Sequence, residues 1–458
     1  MTIIQYNHHH LLFLLSLGIG GCATENTQGG SSEDAPDYSV YAAVGEDCCG
    51  EDPHPVHGVE ATDGSYILCG KSIDSQGNNN GFVLRIDTAP LSGNVFLESE
   101  GENQFSWSTV FGEAGTTDAA NAVASIGDGV FMVGTQNVGD TSQRTIHKYD
   151  LTSGNLVWET QFPSPTDGME SAFESIHVTD SGGAIVAGFS EAEAGEMEGF
   201  KSYGNPASGQ ANVMYFAPEL LNGTSEPQSP TWEQSYDVNS IRSIRPVQDD
   251  GFVFVADNAE TEYVVIRIDA QGNERWRTSL NEHGEATDIA VLSNNSGFAI
   301  TGHKGISEGI DGSVTKLDSD GNIVWGNTYG DPEGGIKEFA GLGPGNPKLI
   351  FDECWGIQPT DTGGAIIACG TGIEGCDEHE GSLKAECEAD PRTKWRAMLV
   401  EIDGDGNQLW YRTDSYYFPE EPNDGAETAS EYVIKTAAGT YTSVIDQGFG
   451  IGLMVLGE

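Results

Sequence analysis

Gly321-Asn322-Ile323-Val324-Trp325 decides how this chain is read, because it recurs. Close copies stand at Gly154-Asn155-Leu156-Val157-Trp158, Gly272-Asn273-Glu274-Arg275-Trp276 and Gly406-Asn407-Gln408-Leu409-Trp410, and degenerate ones end at Trp107 and Trp232. A self-similar unit of this size marks an array of small supersecondary units, so architecture has to be argued from the repeat before any residue receives a chemical role.

Working outward from the motif, each unit has one internal order. An apolar stretch is followed by a turn such as Thr360-Asp361-Thr362-Gly363-Gly364, and a second apolar stretch, Ala365-Ile366-Ile367-Ala368, follows the turn. A third stretch, Met398-Leu399-Val400-Glu401-Ile402-Asp403, precedes Gly-Asn and the Trp run. These runs are short, rich in Val, Ile and aromatics, and bounded by Gly, Asp and Asn. That is strand chemistry, since a helix would need apolar residues at a period of about 3.6 over about ten or more positions. The sequence predicts four strands per unit and no helix.

Units begin near Val56, Ala119, Ser171, Val238, Ala286 and Cys354. A last unit offers only Tyr432-Val433-Ile434, Tyr441 to Ile445 and Ile451 to Leu456. The missing strand lies at the other end of the chain, where Ser39-Val40-Tyr41-Ala42-Ala43-Val44-Gly45-Glu46-Asp47 aligns with Ile323 to Asp331 and puts Tyr41 in the Trp position. Pairing first strand with last blade would remove an exposed sheet edge. The expectation is an all-β, seven-bladed β-propeller over residues 38–458, its last blade closed by the N-terminal strand.

With its Gly-Asn-x-x-Trp units, the chain resembles the bacterial secreted β-propeller lipoproteins whose repeats are of the delta-60 or quinoprotein-like kind. The resemblance implies the fold and leaves activity open, because one fold hosts many functions.

Residues 1–22 read as a lipoprotein-type signal peptide: Leu11 to Ile19 form a short apolar run before Ile19-Gly20-Gly21-Cys22, which resembles a lipobox with Cys22 as the lipidated residue. His8-His9-His10 stands where Lys or Arg is usual, so a plain secretory signal is the second reading. Residues 23–37 are small and polar and read as a flexible linker. Export to an outer membrane or cell surface is expected, with membrane contact only through the N-terminal lipid anchor.

With 71 acidic and 20 basic residues and a net charge of −51, the chain lacks the basic surface that nucleic acid or an anionic membrane requires. Cations are its natural counterparts, although acidity also serves solubility. At the entrance to each innermost strand stand His54, Asp118, Glu170, Asn239, Glu285, Asp352 and Glu427. Carried round a ring, Asp118, Glu170, Glu285, Asp352 and Glu427 would offer hard oxygen ligands for Ca2+, which takes about six to eight of them; each of them equally suits a hydrogen bond to the turn between blades. Asp318-Ser319-Asp320-Gly321-Asn322 and Asp403-Gly404-Asp405-Gly406-Asn407 resemble the start of a calcium loop. Their twelfth positions are Tyr329 and Asp414 rather than Glu, which favours a plain Asx-type turn.

The long insertions, Ser190 to Gln210, Gly330 to Phe351, Thr371 to Lys394, Thr413 to Thr428 and Cys48 to His57, all fall in connections assigned to one face. Loops on a rigid scaffold are where binding resides, so this face is expected to present Trp355, Trp395, Tyr416, Tyr417 and Phe418, with His54 and His57, to an extracellular protein or glycan. Cys376 pairs with Cys387 and Cys354 with Cys369 in the expected disulfides. For Cys48, Cys49 and Cys69 three readings stand: a bridge to Cys69, a vicinal pair, or a soft metal site with His54 and His57. No hydrolase or phosphate-loop motif is found. The alternative function is an enzyme, either a polysaccharide lyase using Tyr416, Tyr417, His54 or His57, or a quinoprotein-like oxidoreductase.

Overall fold

A computed structural model describes residues 32, 34–44, 49, 51–73, 78–87, 95–97, 106–112, 116–139, 141–193, 208–227, 229–248, 251–259, 262–280, 284–293, 296–306, 309–330, 336–337, 348–373, 381, 385, 395–414, 428–447 and 450–457. The chain is a β-propeller. After β1 (Tyr38–Val44), the first unit holds β2 (Glu51–Glu60), β3 (Tyr66–Ile73), β4 (Asn79–Ile86) and β6 (Trp107–Phe111), with β5 (Val95–Leu97) in its last connection. The next holds β7 (Ala119–Ile126), β8 (Gly129–Val138), β9 (Thr141–Asp150) and β10 (Leu156–Phe162). Then come β11 (Glu170–Val178), β12 (Ala184–Ala192), β13 (Gln210–Phe216) and β14 (Trp232–Tyr236), followed by β15 (Ser240–Val247), β16 (Gly251–Ala259), β17 (Glu262–Ile268) and β18 (Glu274–Ser279). β19 (Glu285–Val291), β20 (Phe298–Ile306), β21 (Gly309–Leu317) and β22 (Ile323–Tyr329) precede a short β23 (Ile336–Lys337). β24 (Lys348–Pro359), β25 (Ala365–Ile373), β26 (Arg396–Ile402) and β27 (Gln408–Asp414) lead to β28 (Thr428–Lys435), β29 (Tyr441–Gln447) and β30 (Gly450–Leu456). One helical turn, α1 (Pro218–Leu221), interrupts the all-strand expectation, with Pro218 starting it and Leu221 buried.

The expected count of seven blades is corrected. Among the described residues, five separate blades of four or five strands form, and the remaining strands make one nine-stranded sheet. In that sheet β21 pairs in parallel with β24 through Gly309↔Ile350 and Ile310↔Phe351. The cause is the length of β24: it starts at Lys348, inside the stretch read as an insertion, and runs for 12 residues. Its early start reaches the neighbouring unit and hydrogen-bonds to it. At the ends of the chain β1 does pair antiparallel with β30, Tyr41 opposite Leu453, and β5 adds in parallel on its outer side, Tyr41 opposite Val95.

First strands lie at the axis. β2 sits beside β7, β7 beside β11, β11 beside β15, β15 beside β19, β19 beside β24, β24 beside β28, and β28 beside β2. The cores lie between adjacent sheets, as in the cluster of Ile185, Val213, Ile241, Phe254 and Ile266.

The recurring motif has a contact at four junctions. Gly321 has φ +87°, and a Cβ there would lie 2.7 Å from Trp276 Cε3, on the preceding unit's last strand. Gly154 meets Trp107 in the same way, whereas at Gly272 and Gly406 the nearest atoms would be Gln234 Cγ and Asn327 Nδ2 at 2.6 Å, with Trp232 and Trp325 at 3.1 Å. Glycine is required twice over, by the left-handed backbone and by the indole lying on it. Asp318 fixes the turn: its Oδ1 accepts the backbone N–H of Asp320 (3.0 Å) and Asn322 (2.8 Å), while Asn322 Nδ2 donates to Oδ2 (2.9 Å). Asp269 and Asp403 do the same for Asn273 and Asn407. Hydrogen bonds from these Asn partners hold the three carboxyls below the usual range. In the calcium-like segments the Asp318 and Asp403 carboxylates are thus engaged in the turn.

Candidate functional site

Every innermost strand carries an irregularity at the same depth, and β2 and β11 carry a second one nearer their entrance. The ladder slips between Pro55 and His57, Ala120 and Ala122, Phe173 and Ser175, Ile241 and Ser243, Ala286 and Asp288, Cys354 and Gly356, and Ser430 and Tyr432. The extra residues are Val56, Asn121, Glu174, Arg242, Thr287, Trp355 and Glu431. A bulge re-aims a side chain and frees a backbone group from the ladder, and here both consequences are used between neighbouring units.

The re-aimed side chains reach forward. Asn121 Nδ2 donates to Phe173 O (2.9 Å) and Glu174 Oε1 (3.3 Å). Arg242 donates to Glu285 (3.4 Å), Thr287 Oγ1 to Cys354 O (2.9 Å), and Glu431 lies 3.6 Å from His54 Nε2. The freed N–H groups are met by the residue after the preceding unit's bulge: Val123 N donates to His57 Nδ1 (3.4 Å), Ile244 N to Ser175 Oγ (3.3 Å), and Ile357 N to Asp288 Oδ2 (3.1 Å).

The axis itself is bridged. Arg245 Nη2 donates to Asp288 Oδ1 (2.6 Å) and to the Tyr432 hydroxyl (3.2 Å), and Gln358 Nε2 donates to the same hydroxyl (3.0 Å). Tyr432 in turn packs on His57, with ring centroids 4.2 Å apart. Since β15 and β28 are not neighbours, a bond between them has to cross the axis.

Above the bulges, two His–carboxylate groups occupy unit junctions. His54 Nδ1 lies 2.8 Å from Asp446 Oδ2, between the first and last units, and Glu431 completes that group. Burial alone would lower the His54 pKa, but the Asp446 and Glu431 carboxylates outweigh it and push it up to about 10. Burial pushes Glu431 up. At the other junction His303 Nε2 lies 3.0 Å from Glu285 Oε2, which raises the imidazole against burial's opposing effect, and Arg242 approaches both Glu285 and Asp257. Burial raises Asp257.

The positions expected at the strand entrances fare differently from one another. Asp118 accepts Thr116 Oγ1 (2.5 Å) and Asn137 N (2.8 Å), so its carboxylate binds the turn. Glu170 and Asp352 are buried, and Glu285 serves His303 and Arg242. Glu427, Tyr416, Tyr417, Phe418, Cys376, Cys387, Cys22 and Cys48 lie outside the described residues. Trp355 and Trp395, expected on the surface, are corrected to core positions: each is 8% exposed, and they pack around Gly370 with centroids 6.2 Å apart. Trp355 is turned inward because it is the bulge residue.

Cys354 and Cys369 form the expected cross-strand disulfide. Cys49 is disulfide-bonded and Cys69 is a buried thiol, which removes the reading that bridges to Cys69. His54, held as imidazolium at neutral pH, is a poor general base, and His57 lies under Tyr432. The grouping of His54 with Glu431 and Asp446 was missed in the sequence because its members sit on three strands. The bulge ring had a signal: Phe173-Glu174-Ser175-Ile176, Ile241-Arg242-Ser243-Ile244, Ala286-Thr287-Asp288-Ile289 and Ser430-Glu431-Tyr432-Val433 align, with one variable residue breaking the alternation.

Residues 222–337 match a family model described as outer membrane protein assembly factor BamB. Among solved structures, the chain is similar to Chaetomium thermophilum Sqt1 bound to the N-terminus of ribosomal protein L10, with 11% identity over 91% of this chain and 99% of that one and a TM-score of 0.49. BamB from Moraxella catarrhalis gives 11% identity, 88% and 85% coverage and a TM-score of 0.37. The quinohemoprotein alcohol dehydrogenase from Comamonas testosteroni gives 10% identity, 92% and 76% coverage and a TM-score of 0.43. No curated protein matches the chain in sequence.

Proposed function

We propose that this protein is a binding or interaction propeller that works outside the cytoplasm, held at an outer membrane through Cys22, and meets an extracellular protein or glycan at one face. The observation that carries the reading is the concentration of charged side chains at one end of the axis. His54, Asp446, Glu285, His303 and Asp257 all lie at the start of a first strand or the end of a second, the end from which the long connections also leave. Below them the Arg245–Asp288–Tyr432 bridge crosses the axis, so a ligand is met at the surface rather than passed through. Similarity over residues 222–337 to a family named for an outer-membrane assembly factor accords with an envelope location.

The test is capture from the cell envelope and a glycan array, each run with the protein and with its Glu285→Gln/His303→Gln variant. The reading predicts a retained protein or glycan that the paired change weakens. Retention unaffected by the paired change, or no retained species at all, overturns it.

A further inference from the structure

We propose that His54, Glu431 and Asp446 form a binding site for one divalent transition-metal ion of the zinc class. The inference goes beyond the binding reading and does not depend on it. Among the described residues these three are the set of His, Cys, Asp and Glu whose ligand atoms all lie within 4.8 Å of one another. Asp446 Oδ2 lies 2.8 Å from His54 Nδ1 and Glu431 Oε1 lies 3.6 Å from His54 Nε2, so the two carboxylates face opposite ring nitrogens, and an ion would take one of those nitrogens with one oxygen from each carboxylate.

The donor set selects the class of ion. One imidazole nitrogen with two carboxylates suits zinc and its neighbours, whereas calcium takes about six to eight oxygens and no nitrogen. Three protein ligands leave a fourth position for water. The site is reachable: His54 is 22% and Asp446 20% exposed, while Glu431 at 3% supplies the buried wall. A net charge of −51 concentrates cations around the whole molecule. The three ligands come from β2, β28 and β29, so the ion would tie the first unit to the last beside the seam where β1 meets β30. The ion replaces the ring proton of His54, and that proton leaves to solvent. Exchange of one proton for a divalent ion raises the charge of the site by one, which its two carboxylates offset.

Cobalt(II) is the probe, since its visible ligand-field bands report a nitrogen–oxygen site directly. Full-length protein is titrated with Co2+ and then with Zn2+, beside His54→Gln, Glu431→Gln, Asp446→Asn and, as control, His303→Gln. The expected result is one saturable equivalent of Co2+ displaced by Zn2+. His54→Gln and Glu431→Gln should each weaken it by about tenfold or more, with His303→Gln unchanged. Circular dichroism before each titration separates loss of the site from loss of the fold. Absence of a saturable band in the folded wild-type protein overturns the proposal, as does equal affinity in the folded Glu431→Gln variant or displacement by Ca2+ as readily as by Zn2+.

Discussion

The outer rim and the inner ring of this propeller treat the same repeat in opposite ways. At the rim, four junctions make one contact, a tryptophan laid on the glycine of the next unit's turn. At the axis every first strand repeats one backbone event, the bulge, and fills it with one of six residue types: Val56, Asn121, Glu174, Arg242, Thr287, Trp355, Glu431. Where the side chain is the device, the sequence is fixed. Where the backbone is the device, the side chain is left to vary, and chemistry can collect there.

The comparison breaks most readily at the axis. Asp288, 1% exposed, accepts Ser243 Oγ, Arg245 Nη2, Ile289 N and Ile357 N. Asp288→Ala leaves Arg245 with an uncompensated charge in the interior and should cost about 3–5 kcal/mol in urea unfolding. A loss under 1 kcal/mol would mean that the axial bridge holds nothing together.

At the rim, Gly321→Ala must overcome both the backbone strain and Trp276, and about 2–3 kcal/mol is expected. Gly439→Ala is the matched control, with φ +81° and only Asp361 Oδ2 at 3.6 Å. It should lose about 1 kcal/mol. Equal losses would show that the indole contact is incidental to the turn.

His54 sharpens the inner half of the comparison through pH. Its folded pKa of about 10 lies above the unfolded value of 6.5, so its stabilisation is complete below pH 6.5 and lost as pH rises through about 10. The melting temperature of His54→Gln should therefore fall short of wild type by several degrees at pH 6, about 2 kcal/mol, with the gap closing by pH 10. A gap that stays constant with pH would remove the charge from the account. The smallest effect is expected at Val324, 54% exposed on the rim beside the fixed Trp325. Val324→Ser should stay within about 0.5 kcal/mol by urea unfolding, and a larger loss would mean that the rim depends on more than its tryptophans.

What could be read from the sequence follows the same division. Strand runs, Asp-x-x-Gly-Asn turns and the Cys354–Cys369 bridge are local, set by residues within one hairpin, and were legible. The nine-stranded sheet was not, because it depends on where β24 starts within a stretch from Gly330 to Phe351 that carries no turn signal strong enough to place it. For the site, the entrance residues His54 and Glu285 were legible as polar positions, but the true ring lies two to four residues further along each strand. A bulge displaces the alternation by one residue, so counting from the strand entrance lands short of Glu174, Arg242 and Glu431. Trp355 misled for the same reason, since an aromatic beside an insertion reads as exposed until its bulge turns it inward.

The pairing of β1 with β30 has a consequence in time. Tyr41 and Leu453 are roughly four hundred residues apart in the chain, and bringing them together costs about 5 kcal/mol of loop-closure entropy if nothing between them is yet folded. Local hairpins carry no such cost, so units can form singly and shorten the effective loop one by one. The clasp is then the final event of folding, and a chain halted before Gly450 leaves β29 and the waiting first strand without their shared partner.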